Sequence, residues 1–530
     1  MTLLLLLACH AGPVVVPAHP DAHDVVGDSA GETAHTGETS ETADDSAQET
    51  GDTGDGAPTF ERHTQVLVVG SGPAGVAAAL TAVEAGREVL LLEKSTTPGT
   101  GIRLGGGAYA AMTRWQAEQG FSDTLEAAQA DWVTATGEDG TRPSVTAFIE
   151  GSGDTLVWLA DAHGVEIESS SVSAGEGEMP RTHRIAWSPA VAPFDFLTEG
   201  QPITVETGVE VTGPVMWRGA VVGVRWKNAA GEEGTIGADA VVLATGGFLR
   251  DLAQVEAHAP ELASLDPVFE TNPTSNGGGV PFLTEVGAAW ETPGNIGAYL
   301  HAVQDPVRPD GEALIFSSAV PYIIVGADGR RFTRERELGS FLVAPEVPDT
   351  GAWLITAYDD PETPVFQPPG YNWADPAVPE GYTPVEVITA GSVEVFLSGD
   401  AEESIAWAGL PADALDELEN YNNLAATSAP DPFGAILTPA QSVDGIRWLV
   451  VQLHPGLAKN FGGVATDLDG RVLDATGAPV AGLFAAGEVA GMLPGGGAGR
   501  GFNGSVGACY YGGRVAGAAA AAYVLAEGGG

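Results

Sequence analysis

The chain has 530 residues, enough for roughly two to four domains with a large buried core. Its 22 Lys and Arg residues stand against 71 Asp and Glu residues, and this formal net charge of -49 argues against nucleic-acid binding because it repels phosphate. The two cysteines, Cys9 and Cys509, are not expected to pair, so we expect no disulfide framework, Cys-based zinc site or iron–sulfur cluster.

The first sixty residues are expected to precede the folded body. Residues 1–9 read MTLLLLLAC, and the short apolar run ending at Cys9 resembles a bacterial lipobox, in which the cysteine is lipidated after cleavage. A frayed hydrophobic N-terminus is the alternative, because no Lys or Arg precedes the run. Residues 10–60 are acidic and are expected to form a disordered linker. The expected location is the bacterial cell envelope, with membrane contact only through Cys9, and the alternative is cytoplasmic.

A strand, a glycine turn and a helix are predicted from residue 65 onward. Residues 65–69 read QVLVV, an apolar run typical of a strand buried on both faces. Residues 70–75 read GSGPAG, and an Ala-rich helix is predicted from Pro73 to about Ala85. A second strand is predicted over 87–92, closing on Glu93. This order is that of a dinucleotide-binding unit.

The residue types in this unit fit its chemistry. Gly70 makes the tight turn, Gly72 lets a pyrophosphate approach the backbone, and Gly75 lets the helix pack closely on the strand. The N–H groups at the start of the helix face the anion, and Glu93 can accept hydrogen bonds from a ribose. We predict cofactor contacts at Gly70, Gly72, Pro73, Ala74, Gly75, Glu93 and Lys94.

Three later segments favour FAD over a nicotinamide dinucleotide. Residues 99–107 read GTGIRLGGG, residues 238–247 read ADAVVLATGG, and residues 482–488 read GLFAAGE. The first can wrap a second phosphate, the second is a buried strand with a glycine turn, and the acid of the third suits a ribityl hydroxyl. The further predicted cofactor residues are Gly101, Gly105, Gly106, Gly107, Val211, Ala244, Thr245, Gly246 and Glu488.

The order of these motifs resembles that of the flavoprotein family of fumarate reductases, succinate dehydrogenases and 3-ketosteroid dehydrogenases. The resemblance covers residues 64–520 and implies an α/β fold, with a discontinuous Rossmann-like FAD-binding domain and an inserted α+β capping domain. It places the FAD-binding domain at 61–297 and 452–530 and the capping domain at 298–451. Residues 101–104 contain no histidine where the family attaches flavin covalently, so the resemblance implies non-covalent FAD.

The same resemblance assigns roles near the C-terminus. Residues 498–506 read AGRGFNGSV and align with the family pattern, and Arg514 follows. By resemblance, Ser505 and Val506 offer their backbone to the flavin, and Arg500 projects at the substrate. Cys509 is expected to be a buried thiol near the flavin.

The substrate residues are also assigned by resemblance. Residues 330–336 read RRFTRER, which is either a solvated hairpin or the family segment leading to a proton-donating arginine, for which Arg336 is the nearest candidate. His301 lies at about the position of a histidine that binds a substrate carboxylate. Lys459 replaces a substrate histidine, and His454 lies close by in the chain. Residues 314–319, LIFSSA, lack the glutamate of the family's proton relay, which argues against fumarate and for a bulkier or less charged substrate.

The predicted function is that of an FAD-dependent oxidoreductase acting on a CH–CH or C=C bond next to a carbonyl or carboxylate. No metal is expected, and a separate electron donor or acceptor is expected because no C-x-x-C-H haem motif is present. One alternative is an enzyme similar to 3-ketosteroid dehydrogenases, with tyrosines as acid and base; Tyr299, Tyr322, Tyr510 and Tyr511 are available. Another is a non-catalytic surface protein that transfers electrons through FAD.

Overall fold

The computed structural model describes residues 56–102, 107–171, 179–187, 191–308, 311–317, 320–335, 351–360, 362–369, 381–496, 502 and 504–527. The lipobox cysteine Cys9 and the predicted acidic linker lie outside these residues. Within the described part of the chain, every helix is too short or too polar to span a bilayer.

The strands are β1 (His63–Val69), β2 (Val89–Glu93), β3 (Gly107–Tyr109), β4 (Glu166–Ser171), β5 (Thr182–Ala186), β6 (Ile203–Thr207), β7 (Val209–Trp217), β8 (Ala220–Asn228), β9 (Glu233–Leu243), β10 (Val268–Phe269), β11 (Trp290–Glu291), β12 (Ile296–Gln304), β13 (Ala313–Phe316), β14 (Tyr322–Gly326), β15 (Ala352–Tyr358), β16 (Phe366–Gln367), β17 (Val395–Ser398), β18 (Arg447–Asn460), β19 (Gly463–Val464), β20 (Arg471–Leu473) and β21 (Pro479–Ala485). The helices are α1 (Pro73–Glu84), α2 (Arg114–Glu118), α3 (Leu125–Thr136), α4 (Pro143–His163), α5 (Pro193–Thr198), α6 (Leu252–His258), α7 (Pro260–Ala263), α8 (Val280–Glu285), α9 (Pro384–Thr389), α10 (Ala401–Trp407), α11 (Asp413–Thr427) and α12 (Ser505–Glu527).

The first sheet carries the nucleotide motif. Its strand order is β20-β21-β8-β9-β1-β2-β6, and β7 pairs with β8. Strand β1 is parallel to β2 and to β9, β2 is parallel to β6, and β9 is parallel to β21. Along β1, Val66 and Val68 pack into one hydrophobic cluster while Leu67 and Val69 pack into another. The apolar run is therefore buried on both faces, which is why it reads as a continuous hydrophobic strand.

Helices α1 and α12 pack closely against each other on one face of this sheet. A Cβ atom added at Gly513 would lie 2.2 Å from the carbonyl oxygen of Ala74, and one added at Gly517 would lie 2.5 Å from that of Ala78. Only glycine fits at such a distance, so these two positions let the backbones of the helices approach. The contact joins the first and the last helix of the described residues.

The second sheet has the order β14-β15-β18-β12-β13-β16, and β10 and β17 both pair with β18. The long strand β18 lies at its centre and is antiparallel to β12 and β15. One face of the sheet packs against α10 and α11 through a cluster that includes Ile405 and Leu418. The predicted limits of the capping domain, 298 and 451, fall inside β12 and β18, and they stay a prediction.

Candidate functional site

A cavity of about 650 Å³ lies where elements of both sheets meet. It is lined by the ends of the parallel strands β1 and β2, by the first residues of α1 and α12, and by side chains of β12, β13 and β18. Ligands of open α/β sheets bind outside the carboxyl ends of the parallel strands. The sequence-predicted residues that line the cavity are Gly70, Gly72, Pro73, Ala74, Glu93, Lys94, Gly101, Gly107, Val211, Ala244, Thr245, Gly246, His301, Lys459, Glu488, Ser505 and Val506.

Five other predicted residues are not on the cavity wall in the described structure. Gly75 is absent from the wall because it packs against the turn: a Cβ atom there would lie 1.9 Å from the carbonyl oxygen of Gly70. Gly105, Gly106, Arg336 and Arg500 lie outside the described residues. Their predicted roles stay predictions.

The glycine turn forms an open cradle at the start of α1. Gly70 has a φ of 104°, and a Cβ atom there would lie 2.3 Å from the carbonyl oxygen of Ala244. At Gly72, in contrast, an added Cβ would meet no atom within 4 Å, so the turn leaves space on the cavity side. Gly72 is also the N-cap of α1, and no side chain caps this helix end. The first N–H groups of α1 can therefore donate to a bound anion.

Glu93 is buried and orders the loops at the end of β2. Its carboxylate accepts hydrogen bonds from the Ser71 amide at 3.0 Å, the Ser71 hydroxyl at 2.6 Å and the Ser95 amide at 2.8 Å. The Ser71 hydroxyl in turn accepts from the amide of Gly99 at 2.9 Å. The sequence analysis missed Ser71, although its place between the two glycines of GSG is a usable signal. Glu93 thus holds the cradle in shape as well as lining the cavity.

Lys94 fixes a second segment at the cavity edge. Its Nζ donates to the carbonyl oxygen of Thr274 at 2.6 Å and to Oδ1 of Asn276 at 2.5 Å. Burial lowers the pKa of Lys94 from its ordinary value. Nearby, the Asn272 amide donates to the Thr100 hydroxyl at 2.9 Å, which ties the same segment to the glycine-rich loop. Neither contact had a local sequence signal.

Two residues of the cavity wall, Thr245 and Glu488, carry buried polar groups. The Thr245 hydroxyl is buried and has no hydrogen-bond partner among the described residues. Glu488 accepts a hydrogen bond from the amide of Gly247 at 3.1 Å, and burial raises the pKa of its carboxyl group to about 7. Buried polar groups are normally hydrogen-bonded, so the carboxyl group of Glu488 is suited to a ligand with polar atoms.

The other end of the cavity carries side chains that can ionise. Lys459 Nζ donates to the Ser505 hydroxyl at 3.2 Å and lies 5.9 Å from the ring centre of Tyr299. Burial lowers the pKa of Lys459 and raises that of Tyr299. His301 Nε2 lies 3.0 Å from Oε2 of Glu270, and both side chains are largely buried. Strands β12 and β18 of the second sheet thus supply this end of the cavity.

Glu270 is the main residue that sequence analysis missed. It follows β10, which has only two residues and pairs with β18 far along the chain. A strand of that length gives no periodic pattern, so the sequence offers no signal that places Glu270 beside His301. His454, in contrast, is not on the cavity wall: its Nδ1 bonds to the carbonyl oxygen of Asp266 at 2.8 Å, and its Nε2 lies 3.2 Å from Glu394.

Cys509 lies in α12 and lines the cavity, as expected for a buried thiol at this place. Its Sγ is 3.7 Å from the sulfur of Met492. Burial raises the pKa of the Cys509 thiol to about 12, so the group stays protonated at neutral pH.

The arginine-rich segment is only partly solvated. Arg330 is exposed and lies near Asp413. Arg331 is buried: it pairs with Glu335 through two contacts of 2.5 Å and with Asp431 at 2.8 Å. Its guanidinium carbon also lies 4.7 Å from the ring centre of Tyr421. The solvated-hairpin interpretation therefore fits Arg330 and is wrong for Arg331.

These features fit an extended dinucleotide. The cradle at Gly72 leaves space at a helix N-terminus for a pyrophosphate. Glu93 and Glu488 place carboxylates at two points of the cavity, where sugar or ribityl hydroxyls can donate hydrogen bonds. The end with Lys459, Tyr299, and the His301–Glu270 pair then remains for a substrate.

Comparison with known proteins supports this interpretation. Residues 65–503 match the sequence model of a family described as FAD binding domain. The chain is 27% identical over 442 residues to NADH:fumarate oxidoreductase of Klebsiella pneumoniae (strain 342), a match that covers 81% of this chain and 45% of that relative. The chain therefore spans less than half the length of this relative.

Two further matches cover more of the compared proteins. The chain is 29% identical over 490 residues to urocanate reductase of Eggerthella lenta, covering 86% of this chain and 74% of that relative. The solved structure of an open conformation of a flavocytochrome c3 fumarate reductase is 26% identical, with a TM-score of 0.65 over 88% of this chain and 79% of that one. The structural match confirms the predicted α/β class and its Rossmann-like fold.

Proposed function

The chain belongs to the FAD binding domain family, and from this premise we propose that it is an FAD-dependent oxidoreductase acting on a C=C or CH–CH bond next to a carbonyl or carboxylate. The predicted cofactor, FAD, is confirmed. The observation that carries the proposal is the single cavity that joins the open cradle at Gly72 to the ionisable end at Lys459. A cofactor and a substrate can thus share one cavity.

The chemistry divides between cofactor and chain. Bound FAD supplies hydride exchange with one carbon of the substrate double bond. The chain orients the substrate and stabilises the negative charge that develops on the substrate carbonyl or carboxylate. Among the described residues, the buried Lys459 is the cation suited to this task. A nearby anionic group stabilises the charged form of a buried ammonium. One such preorganised donor is typically worth about 3 kcal/mol in the transition state.

Two arginines complete the proposed site by resemblance to the family. Arg500 would bind the substrate carboxylate, and Arg336 would supply or accept the second proton. Both lie outside the described residues, so these roles rest on the aligned motifs alone. The separate electron donor or acceptor is proposed on the same basis, together with the missing haem motif.

The decisive experiment is reoxidation of the reduced flavin by unsaturated acids. The purified protein should be yellow, and anaerobically reduced protein should recover its oxidised absorbance when an acrylate substrate is added. Arg500→Ala and Lys459→Met should keep FAD and lose turnover. Arg330→Met is the matched control, because Arg330 is exposed and does not line the cavity. Full turnover by Arg500→Ala would contradict the carboxylate assignment.

The second candidate is a 3-ketosteroid dehydrogenase-like enzyme. One observation favours it: the phenol of Tyr299 lines the cavity. Tyr322, Tyr510 and Tyr511 do not line it, and the Tyr322 hydroxyl donates to the carbonyl oxygen of Glu335 at 2.8 Å. Bleaching of the flavin by a saturated 3-ketosteroid, lost in Tyr299→Phe, would promote this candidate. A protein that holds FAD and turns over neither class would be an electron-transfer protein.

We also propose that the chain is attached to the bacterial cell envelope by a lipid on Cys9. The support is the lipobox-like text of residues 1–9 and the acidic segment that follows. A Cys9→Ser variant should leave the membrane fraction, while wild-type protein should remain in it. Wild-type protein found in the soluble fraction of the cytoplasm would refute the anchor.

A further inference from the structure

A carboxylate occupies a fixed place in the wall at the substrate end of the cavity. Glu270 follows β10, and its amide donates to the carbonyl oxygen of Leu457 in β18 at 3.0 Å. A Cβ atom added at Gly456 would lie 2.8 Å from Oε2 of Glu270, so the glycine leaves the space that the carboxylate uses. The backbone pairing and this space together hold Glu270 at the cavity.

His301 contacts one oxygen of this carboxylate. Its Nε2 lies 3.0 Å from Oε2 of Glu270, and the two side chains are 15% and 16% exposed. No other side-chain hydrogen bond to Glu270 is found in the described structure. The carboxylate, which lines the cavity, therefore retains acceptor capacity there.

The local charge does not favour a second carboxylate at this place. The buried Lys459 interacts electrostatically with Glu270, so this ammonium already has a carboxylate partner in the cavity wall. An anionic group brought next to Glu270 would meet repulsion from its carboxylate. A group with an N–H or O–H would instead satisfy the acceptor that Glu270 presents.

This inference rests on the proposed function. We propose that Glu270 is a specificity-determining residue that selects substrates by the group at the end opposite their carboxylate. The site takes α,β-unsaturated monocarboxylic acids whose other end carries a hydrogen-bond donor, and it rejects dicarboxylates. Sites built to hydrogen-bond one substrate group reject analogues that lack it, because the buried polar group of the protein is then left unpaired. In this proposal Glu270 contacts the substrate directly, and His301 holds the carboxylate of Glu270 in place.

Two probes of nearly equal shape test this assignment. These are 3-(pyrrol-2-yl)acrylate, whose ring presents an N–H, and 3-(furan-2-yl)acrylate, whose ring presents an oxygen; fumarate is the dicarboxylate. The FAD-loaded wild-type protein should prefer the pyrrole acid over the furan acid by about 100-fold in kcat/KM, and over fumarate by at least as much. In Glu270→Gln the amide can donate to the furan oxygen, so the ratio should fall to a few-fold.

Glu394→Gln is the matched control. Glu394 also lies beside a histidine of the same sheet, His454, but it does not line the cavity. The control should keep the wild-type ratio. Glu270→Asp, which withdraws the carboxylate from the cavity, should also lower the pyrrole-to-furan ratio of kcat/KM. This variant replaces Glu270→Gln in the test if the glutamine variant does not bind FAD.

A measurement of ligand binding distinguishes a failure of this inference from a failure of the proposed function. The saturated pyrrole and furan propanoates are titrated into the oxidised protein, and their affinities are read from the change in flavin absorbance. Equal affinities in wild type would overturn the role of Glu270, even if both acrylates are reduced. A pyrrole preference that depends on Glu270, with no acrylate reoxidising the flavin, would leave the inference standing and refute double-bond reduction.

Discussion

Replacing Glu488 with glutamine is expected to change how the stability of the flavin-free protein depends on pH. Burial raises the pKa of this carboxyl group from an ordinary 4.5 to about 7. Between these two pH values the folded chain keeps a proton that the unfolded chain has released. The free energy of unfolding therefore falls as the pH rises through this window. Below about pH 4.5 and above about pH 7, Glu488 does not change how the free energy of unfolding depends on pH.

The size of the effect follows from the two pKa values. Their difference corresponds to about 3 kcal/mol of stability, present at low pH and lost by about pH 7. The glutamine variant keeps the acceptor for the Gly247 amide and has no proton to lose. Its stability relative to wild type should therefore improve by about 3 kcal/mol from pH 4.5 to pH 7.

Urea unfolding followed by tryptophan fluorescence measures this difference at several pH values. The variant-minus-wild-type difference removes the titration of all other groups that the two proteins share. Glu256→Gln, which changes an exposed residue of α6, should give a difference that does not depend on pH. A flat difference for Glu488→Gln as well would refute the argument that burial governs this carboxyl group.

Three further predictions concern packing and the cradle. Gly72→Val should abolish FAD binding while leaving the unfolding temperature of the flavin-free protein unchanged, because the new side chain points into open space; a stable variant that still binds FAD would contradict this. Gly513→Ala should cost about 1–3 kcal/mol in urea unfolding, since its Cβ would lie 2.2 Å from a carbonyl oxygen of α1, whereas Gly512→Ala, with its nearest contact at 3.5 Å, should cost little. Asp431→Asn should cost about 3 kcal/mol by the same assay because Arg331 loses a buried ionic partner, and a change below about 0.5 kcal/mol would show that Glu335 alone suffices.

The nucleotide half of the fold was predictable because its signals are local. The apolar run of β1, the glycine turn and the Ala-rich α1 follow one another within about twenty residues. Each of them is marked by its own residue types, although β1 pairs with β9 and α1 packs on α12 far along the chain. For the same reason the predicted ends, Ala85 for the helix and 87–92 for the second strand, lie close to the observed Glu84 and Val89–Glu93.

The substrate end was less predictable because distant pairings build it. Glu270 reaches the cavity only through the pairing of two-residue β10 with β18, and no periodic pattern marks so short a strand. The burial of Arg331 likewise depends on Asp431, which lies 100 residues further along the chain. The sequence showed a cluster of arginines, but only the fold separates the buried guanidinium from the exposed one at Arg330.

The contact between α1 and α12 sets an order of assembly during protein synthesis. The cradle and its helix leave the ribosome early, whereas α12, with its wall residues Ser505 and Val506, is translated much later. The cofactor pocket therefore lacks part of its wall until α12 has emerged. A premature stop just before residue 505 would leave the glycines of the cradle in place and yet remove the part of the cavity wall that α12 supplies.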